Sequence, residues 1–221
     1  QSGVTMMKYI LLFSLILFSG CSLKTAPNQW QYKSANAFSS YTKNFLSDNQ
    51  ILAENDLNRA IEHAKKSADF TQLATIYLGE CALNISVGVE DNCTKYTNIQ
   101  KLLHNKELDA YHSFITMSIS NEDIKLLPQH YQAFALSFNK SNFKKARTKM
   151  LQIQKETSLL LCASLLRNHL DKKTRKKIIE KASFYGYKKA VLFWLDESLK
   201  NTSDLGEVKN IEKKISILKT Q

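Results

Sequence analysis

Apolar residues recur at steps of three and four through most of this chain, the period of a helix with one buried face. In "NDLNRAIEHAKKSAD" the positions are Leu57, Ala60, Ile61, Ala64 and Ala68, and in "FTQLATIYLGECALNI" they are Leu73, Ile76, Tyr77, Ala82 and Leu83. A turn, "SVGVEDN", follows, with Gly88 as the expected helix C-cap and Cys93 opening the next element. "NIQKLLHNKELDAYHSFITMSI" reads as two helices broken around Asn105, and a further helix is expected to begin near Pro128. Four compact segments come next: "PQHYQAFALSFNK", "SNFKKARTKMLQIQKE", "TSLLLCASLLRNH" and "KKTRKKIIEKASFY". "GYKKAVLFWLDESLK" and "SDLGEVKNIEKKISILK" complete the pattern, and Ser141 and Thr157 stand where N-caps are expected. No segment after residue 30 shows strand-like alternation. Helices of about 12 to 16 residues joined by short loops imply antiparallel neighbours. The fold class expected is all-α, built from antiparallel helix pairs, either as a solenoid-like stack or as an irregular bundle.

Composition supports the helical reading. The sequence holds only 6 Gly and 2 Pro, and both prolines, Pro27 and Pro128, sit at expected boundaries. "FKKARTKML" from Phe143 and "YKKAVLFWL" from Tyr187 share an aromatic residue, an alanine three positions on and apolar residues after it. "GYKKAVLFWLDESL" is similar to the second-helix opening of tetratricopeptide and Sel1-type repeats, and "ATIYLGECAL" resembles their first-helix pattern. That resemblance implies stacked helix pairs that recognise other proteins. Cys81 and Cys93 also resemble the stapled pairs of Sel1-type proteins from some epsilon-class bacteria. Those proteins place a pair in every repeat, and this chain does not.

The opening stretch, "MMKYILLFSLILFSGCSL", changes the setting. Its uninterrupted apolar run, Tyr9 to Phe18, is far shorter than the roughly 20 residues a spanning helix needs. Lys8 precedes the run and Ser19-Gly20 follows it, the layout of a processed export signal. "LFSGC", Leu17 to Cys21, resembles the lipobox of bacterial lipoproteins, although Phe18 stands where that family usually has leucine. The resemblance implies cleavage before Cys21 and covalent lipid on Cys21, the one prosthetic group expected; no other cofactor and no metal is. Two or three acyl chains anchor stably where one does so only marginally. Ser22 in place of aspartate leans towards the outer membrane. The expected organisation is therefore a tag or over-extension plus signal over residues 1–20 and a lipidated tether over 21–33. An all-helical domain over 34–221 follows, with Trp30 and Tyr32 docking on its first helix. The expected location is the cell envelope, facing the periplasm.

That compartment gives the cysteines their meaning. An oxidising periplasm favours a local Cys81–Cys93 disulfide across a helix–turn–helix corner. Cys162, among leucines in "SLLLCASLL", reads as a buried small hydrophobe. The charge is equally uneven. Residues 1–139 carry 11 Lys/Arg and 12 Asp/Glu, whereas residues 140–221 carry 20 Lys/Arg and 8 Asp/Glu. The candidate interaction patch is Lys172, Lys173, Arg175, Lys176, Lys177, Lys181 and Lys188. A membrane-anchored envelope protein rarely meets nucleic acid, and no recognition-helix motif occurs, so the expected partner is an acidic envelope protein or an anionic polymer or lipid.

Candidate chemistry is sparse. The five histidines, His63, His104, His112, His130 and His169, form no HxxxH pair, and 6 Gly leave scarcely enough for a phosphate loop. "ELDAYH" gathers acids and a histidine without a third ligand. A cell-wall glycan-acting enzyme would need an acid, for which Glu80 and Glu156 are the candidates. No catalytic residue is assigned, and a binding or scaffolding role is preferred to an enzymatic one.

Overall fold

Residues 28–220 are described by the computed structural model, and every regular element among them is helical. The helices are α1 (Gln29–Leu46), α2 (Gln50–Ala64), α3 (Thr71–Ser86), α4 (Thr94–Gln100) and α5 (Lys106–Ile115), then α6 (Gln129–Asn139) and α7 (Phe143–Leu151). They continue with α8 (Glu156–Leu165), α9 (Lys172–Phe184), α10 (Lys188–Lys200) and α11 (Leu205–Lys219). Short 3₁₀ turns at Asp123–Leu126 and Arg167–His169 complete the path. The export signal, Cys21 and the start of the tether lie outside the described residues.

The boundaries follow local chemistry. α1 begins at Gln29, so Trp30 and Tyr32 belong to it rather than to a tether ending at residue 33. Trp30 sits one turn before Ser34, and its half-buried ring extends the stripe of Ser34, Ala37 and Tyr41. Asn105 caps α5 by accepting from the Leu108 N–H, and Pro128 precedes α6, as the pattern predicts. The caps at Ser141 and Thr157 are displaced. Asn142, not Ser141, accepts from the Lys145 N–H at the start of α7. α8 starts at Glu156 behind Lys155, with no side-chain cap.

Ser141 serves instead as the hinge of a recurring turn. α1/α2, α6/α7 and α9/α10 are each joined by three residues whose middle member is left-handed: Asp48 (φ 67°), Ser141 (φ 53°) and Gly186 (φ 69°). In each, the next N–H reaches back to a carbonyl five residues earlier: Asn49 to Asn44, Asn142 to Ser137, Tyr187 to Ala182. This is the Schellman closure, which satisfies the last carbonyls and reverses the chain. Small residues then let the returning helix approach closely. Ala53, Ala60 and Ala64 are buried in α2, Ala146 in α7 and Ala190 in α10. The Ser34 hydroxyl donates across the first pair to the Ala60 carbonyl at 2.8 Å.

The pairs surround two helices that are apolar on nearly every side, α3 and α8, as expected of helices enclosed by others. They pack together, and the Ser164 hydroxyl of α8 donates to the Ile85 carbonyl of α3 at 2.6 Å. α10 also meets α1: Lys189 lies 4.3 Å from the centre of the Phe45 ring and 3.5 Å from the Asp48 carboxylate. A strict solenoid touches only its sequence neighbours. Contacts between elements so far apart make this an irregular all-α bundle with antiparallel pairs built into it.

Candidate functional site

The last three helices form an open trough. α9, α10 and α11 pack in sequence, each reversing the direction of the one before, so that α9 and α11 run in the same sense on either side of α10. Val191, Leu195 and Ser198, at steps of four and three, give the floor from α10. Ile179 and Ser183 of α9 form one wall, and Ile211, Ile217 and Leu218 of α11 form the other. The space enclosed is about 610 Å³. Only Ile211 is fully buried in α11, and Ile217 is 63% exposed. Lys172, Lys176 and Lys214 stand on the rim with Glu180 and Glu207.

The predicted basic residues divide into three groups. Lys172, Lys173, Lys176 and Lys177 share the exposed face of α9, though only Lys172 and Lys176 border the trough. Arg175 is a correction: it is 6% exposed and donates from Nη1 to the Leu170 carbonyl at 2.6 Å. It follows Thr174 onto the buried stripe of Thr174, Ile178 and Ala182, and there it closes the loop into α9. Lys181 lies half-buried, its ammonium 5.5 Å from the centre of the Tyr185 ring. Lys188 belongs to the next helix and faces Asp48 at 4.0 Å, on the side of α1. Within the trough, Lys172 pairs with Glu207 at 2.7 Å and Lys176 with Glu180 at 3.9 Å. The Lys176–Glu180 pair is exposed on both sides and contributes little, whereas Glu207 is only 23% exposed and also accepts from the Thr202 hydroxyl at 2.7 Å. Sequence reasoning missed Lys214 and Ile217. Their signal was a terminal helix carrying more apolar side chains than one neighbour could bury.

A second cleft of about 350 Å³, the central cleft, lies among α1, α3, α5, α6, α8 and the start of α10. Phe38 of α1, Tyr111 of α5, Tyr131 of α6 and Tyr187 at the start of α10 contribute its aromatic surface. Gly79 of α3 allows this: a β-carbon there would fall 2.4 Å from the Phe38 ring. The first turn of α8 brings Glu156, Thr157 and Ser158 to the cleft, and Lys43 and Lys155 also line it. The Tyr187 hydroxyl donates to Glu156 at 3.2 Å; burial first, and the charge of Glu156 second, push its pKa up to about 12. The Tyr131 hydroxyl donates to Ser158 at 2.8 Å, and the His130 imidazole lies 3.2 Å from the same oxygen. Burial likewise pushes Tyr131 up to about 12. These hydroxyls therefore stay protonated at neutral pH and act as hydrogen-bond donors.

The other candidates resolve as structure. Cys81 and Cys93 form the disulfide, joining α3 to the left-handed cap of α4. Asp91 steadies that corner by accepting from the Cys93 N–H and from Asn84, each at 2.7 Å. Among the described residues, Cys81, Asp91 and Cys93 are also the metal-type ligands that lie close together, and their two sulfurs are bonded to each other. Glu80 ion-pairs with Lys95 of α4 at 2.6 Å, outside either cleft. Asp109 of "ELDAYH" accepts from Tyr96 at 2.6 Å and Gln100 at 2.8 Å, which ties α4 to α5. Cys162 is fully buried, and burial raises its pKa well above the ordinary thiol value. No helix among the described residues is long and apolar enough to cross a membrane. Comparison with known protein families, curated proteins and solved structures finds no match to this chain.

Proposed function

We propose that this chain is a lipid-anchored envelope protein whose helical domain acts by binding, with the α9–α11 trough receiving an acidic amphipathic helix from a partner protein. The anchoring rests on the lipobox resemblance of "LFSGC", with Cys21 carrying the lipid and the signal before it removed. A disulfide between Cys81 and Cys93 fits the oxidising compartment such export leads to. The outer membrane, facing the periplasm, is the location this reading prefers.

One observation carries the partner assignment: the trough has an apolar floor and walls, is open to solvent, and has Lys172, Lys176 and Lys214 on a rim that also holds Glu180 and Glu207. An acyl chain would be left wet on its open side. An amphipathic helix instead presents its apolar face inward and keeps its polar face in water, the helix-in-groove mode of recognition. Acids flanking its apolar stripe would meet Lys172, Lys176 and Lys214. The excess of positive charge in the last third of the chain would steer the encounter.

The test is titration of the full chain with a designed helical peptide that has leucines on one face and glutamates beside them. Binding should weaken steeply with salt and be lost on combining Lys176→Glu with Ile217→Asp. Binding that ignores both changes would remove the trough from the account. A glycan-acting enzyme is the second reading, favoured by Glu156 lining the central cleft beneath Tyr187. Most glycoside hydrolases use two carboxylates about the scissile bond, whereas Glu156 is the one carboxylate lining this cleft.

A further inference from the structure

The central cleft is separate from the trough and differs from it in chemistry. Side chains from six helices or their caps converge on it, so its shape is set by the packing of the whole bundle. Its volume of about 350 Å³ lies in the range of small-ligand sites, roughly 300–1,000 Å³.

The lining decides what class of ligand fits. Phe38, Tyr111, Tyr131 and Tyr187 supply ring surface, while Ser39, Thr42 and Ser86 add hydroxyls. Two of those hydroxyls already donate to backbone: Thr42 to the Phe38 carbonyl at 3.0 Å, and Ser86 to the Leu83 carbonyl at 2.7 Å. The Thr42 oxygen therefore remains as an acceptor, whereas Ser86 is only 2% exposed. A purely apolar ligand would cover these hydroxyls and Glu156 without replacing their hydrogen bonds to water, which is costly. A strong anion would face Glu156, and a strong cation would face Lys43 and Lys155. A neutral molecule with apolar C–H faces and hydroxyl or amide edges avoids all three penalties.

From this we infer that the central cleft binds one or two pyranose rings of a neutral sugar chain, with any further ring of a longer oligomer left outside in solvent. A ring face packs on Phe38 and the tyrosines. Glu156 accepts from a sugar hydroxyl while retaining the Tyr187 bond, and Lys155 beside it donates to a neighbouring hydroxyl.

The probe is the β-1,4-linked trimer of N-acetylglucosamine, added to the full chain in a detergent with no sugar headgroup. Saturating the protein's aromatic protons by NMR should transfer signal to the ring and N-acetyl protons of the trimer. Glu156→Gln, which replaces a charged acceptor by a weaker neutral one, and Phe38→Ala, which removes the ring face, should each weaken binding about tenfold or more. Far-ultraviolet circular dichroism of each variant checks that it is folded, and Tyr187→Phe supplies a third variant that removes one oxygen. Lys176→Glu should leave the trimer unaffected, which separates this site from the trough. Absence of transfer at millimolar trimer, or binding indifferent to both Glu156→Gln and Phe38→Ala, would overturn the assignment.

Discussion

Reducing the Cys81–Cys93 bond should destabilise the domain by an amount its position sets. The bond joins residues 12 apart. Closing a loop of that length removes denatured-state entropy worth about 3 kcal/mol in the chain-entropy model. In a domain of this size each kcal/mol moves the melting temperature by about 2–4 °C, so the expected drop is roughly 6–12 °C. Reduction is a cleaner perturbation than alanine substitution. Cys81 and Cys93 are both buried, and thiols left in place open no cavity. The reduced corner should still fold, since Asp91 keeps its bonds to the Cys93 N–H and to Asn84. The assay is thermal unfolding of the full chain by circular dichroism, with and without reductant. Alkylation in denaturant followed by mass measurement counts the thiols. Coincident melting curves after complete reduction, or alkylation of Cys81 and Cys93 without reductant, would refute the reasoning.

Three further outcomes follow from single sites. Gly88→Ala should cost about 1–3 kcal/mol in urea unfolding, because φ is +77° and the added carbon would lie 2.2 Å from the Phe193 ring; an unchanged midpoint would contradict that packing. Cys162 should resist maleimide in the native protein and react only on unfolding, since burial disfavours its thiolate; native labelling at the rate of a free thiol would show the core to be open there. The third outcome concerns pH. Burial lowers the pKa of His112, whose Nε2 has no partner among the described residues. The unfolded chain therefore takes the proton first, so stability present above the ordinary histidine value, about 6.5, is lost as pH falls towards the folded pKa. The melting temperature should fall between about pH 7.5 and about pH 5.5, and His112→Phe should flatten that slope; an unchanged slope in the variant would place the effect elsewhere.

Much of the helical frame was legible because it is written in local periods. Leu73, Ile76, Tyr77, Ala82 and Leu83 mark a helix, and α3 forms there. The corner at Gly88 and Cys93 was readable from turn chemistry and cysteine spacing. Several features depend instead on distant partners. Ser141 looks like a cap by type, yet the Schellman closure places it at the left-handed position and hands the cap to Asn142. Arg175 looks like part of a basic run, yet the phase of α9 turns it inward. The two clefts were least legible. Their walls come from helices far apart in sequence, and no local pattern announces that Phe38 and Glu156, or Lys172 and Lys214, will line the same space.

The most direct test of the central claim places a photo-crosslinking amino acid at Ile217 in the lipidated chain, expressed in its own envelope. A discrete adduct with one protein, through an acidic helical segment, is the expected result. The same adduct should form from position 183 across the trough and vanish when Lys172, Lys176 and Lys214 are changed to glutamate. Adducts with lipid alone, or a protein adduct that survives the charge reversal, would contradict it.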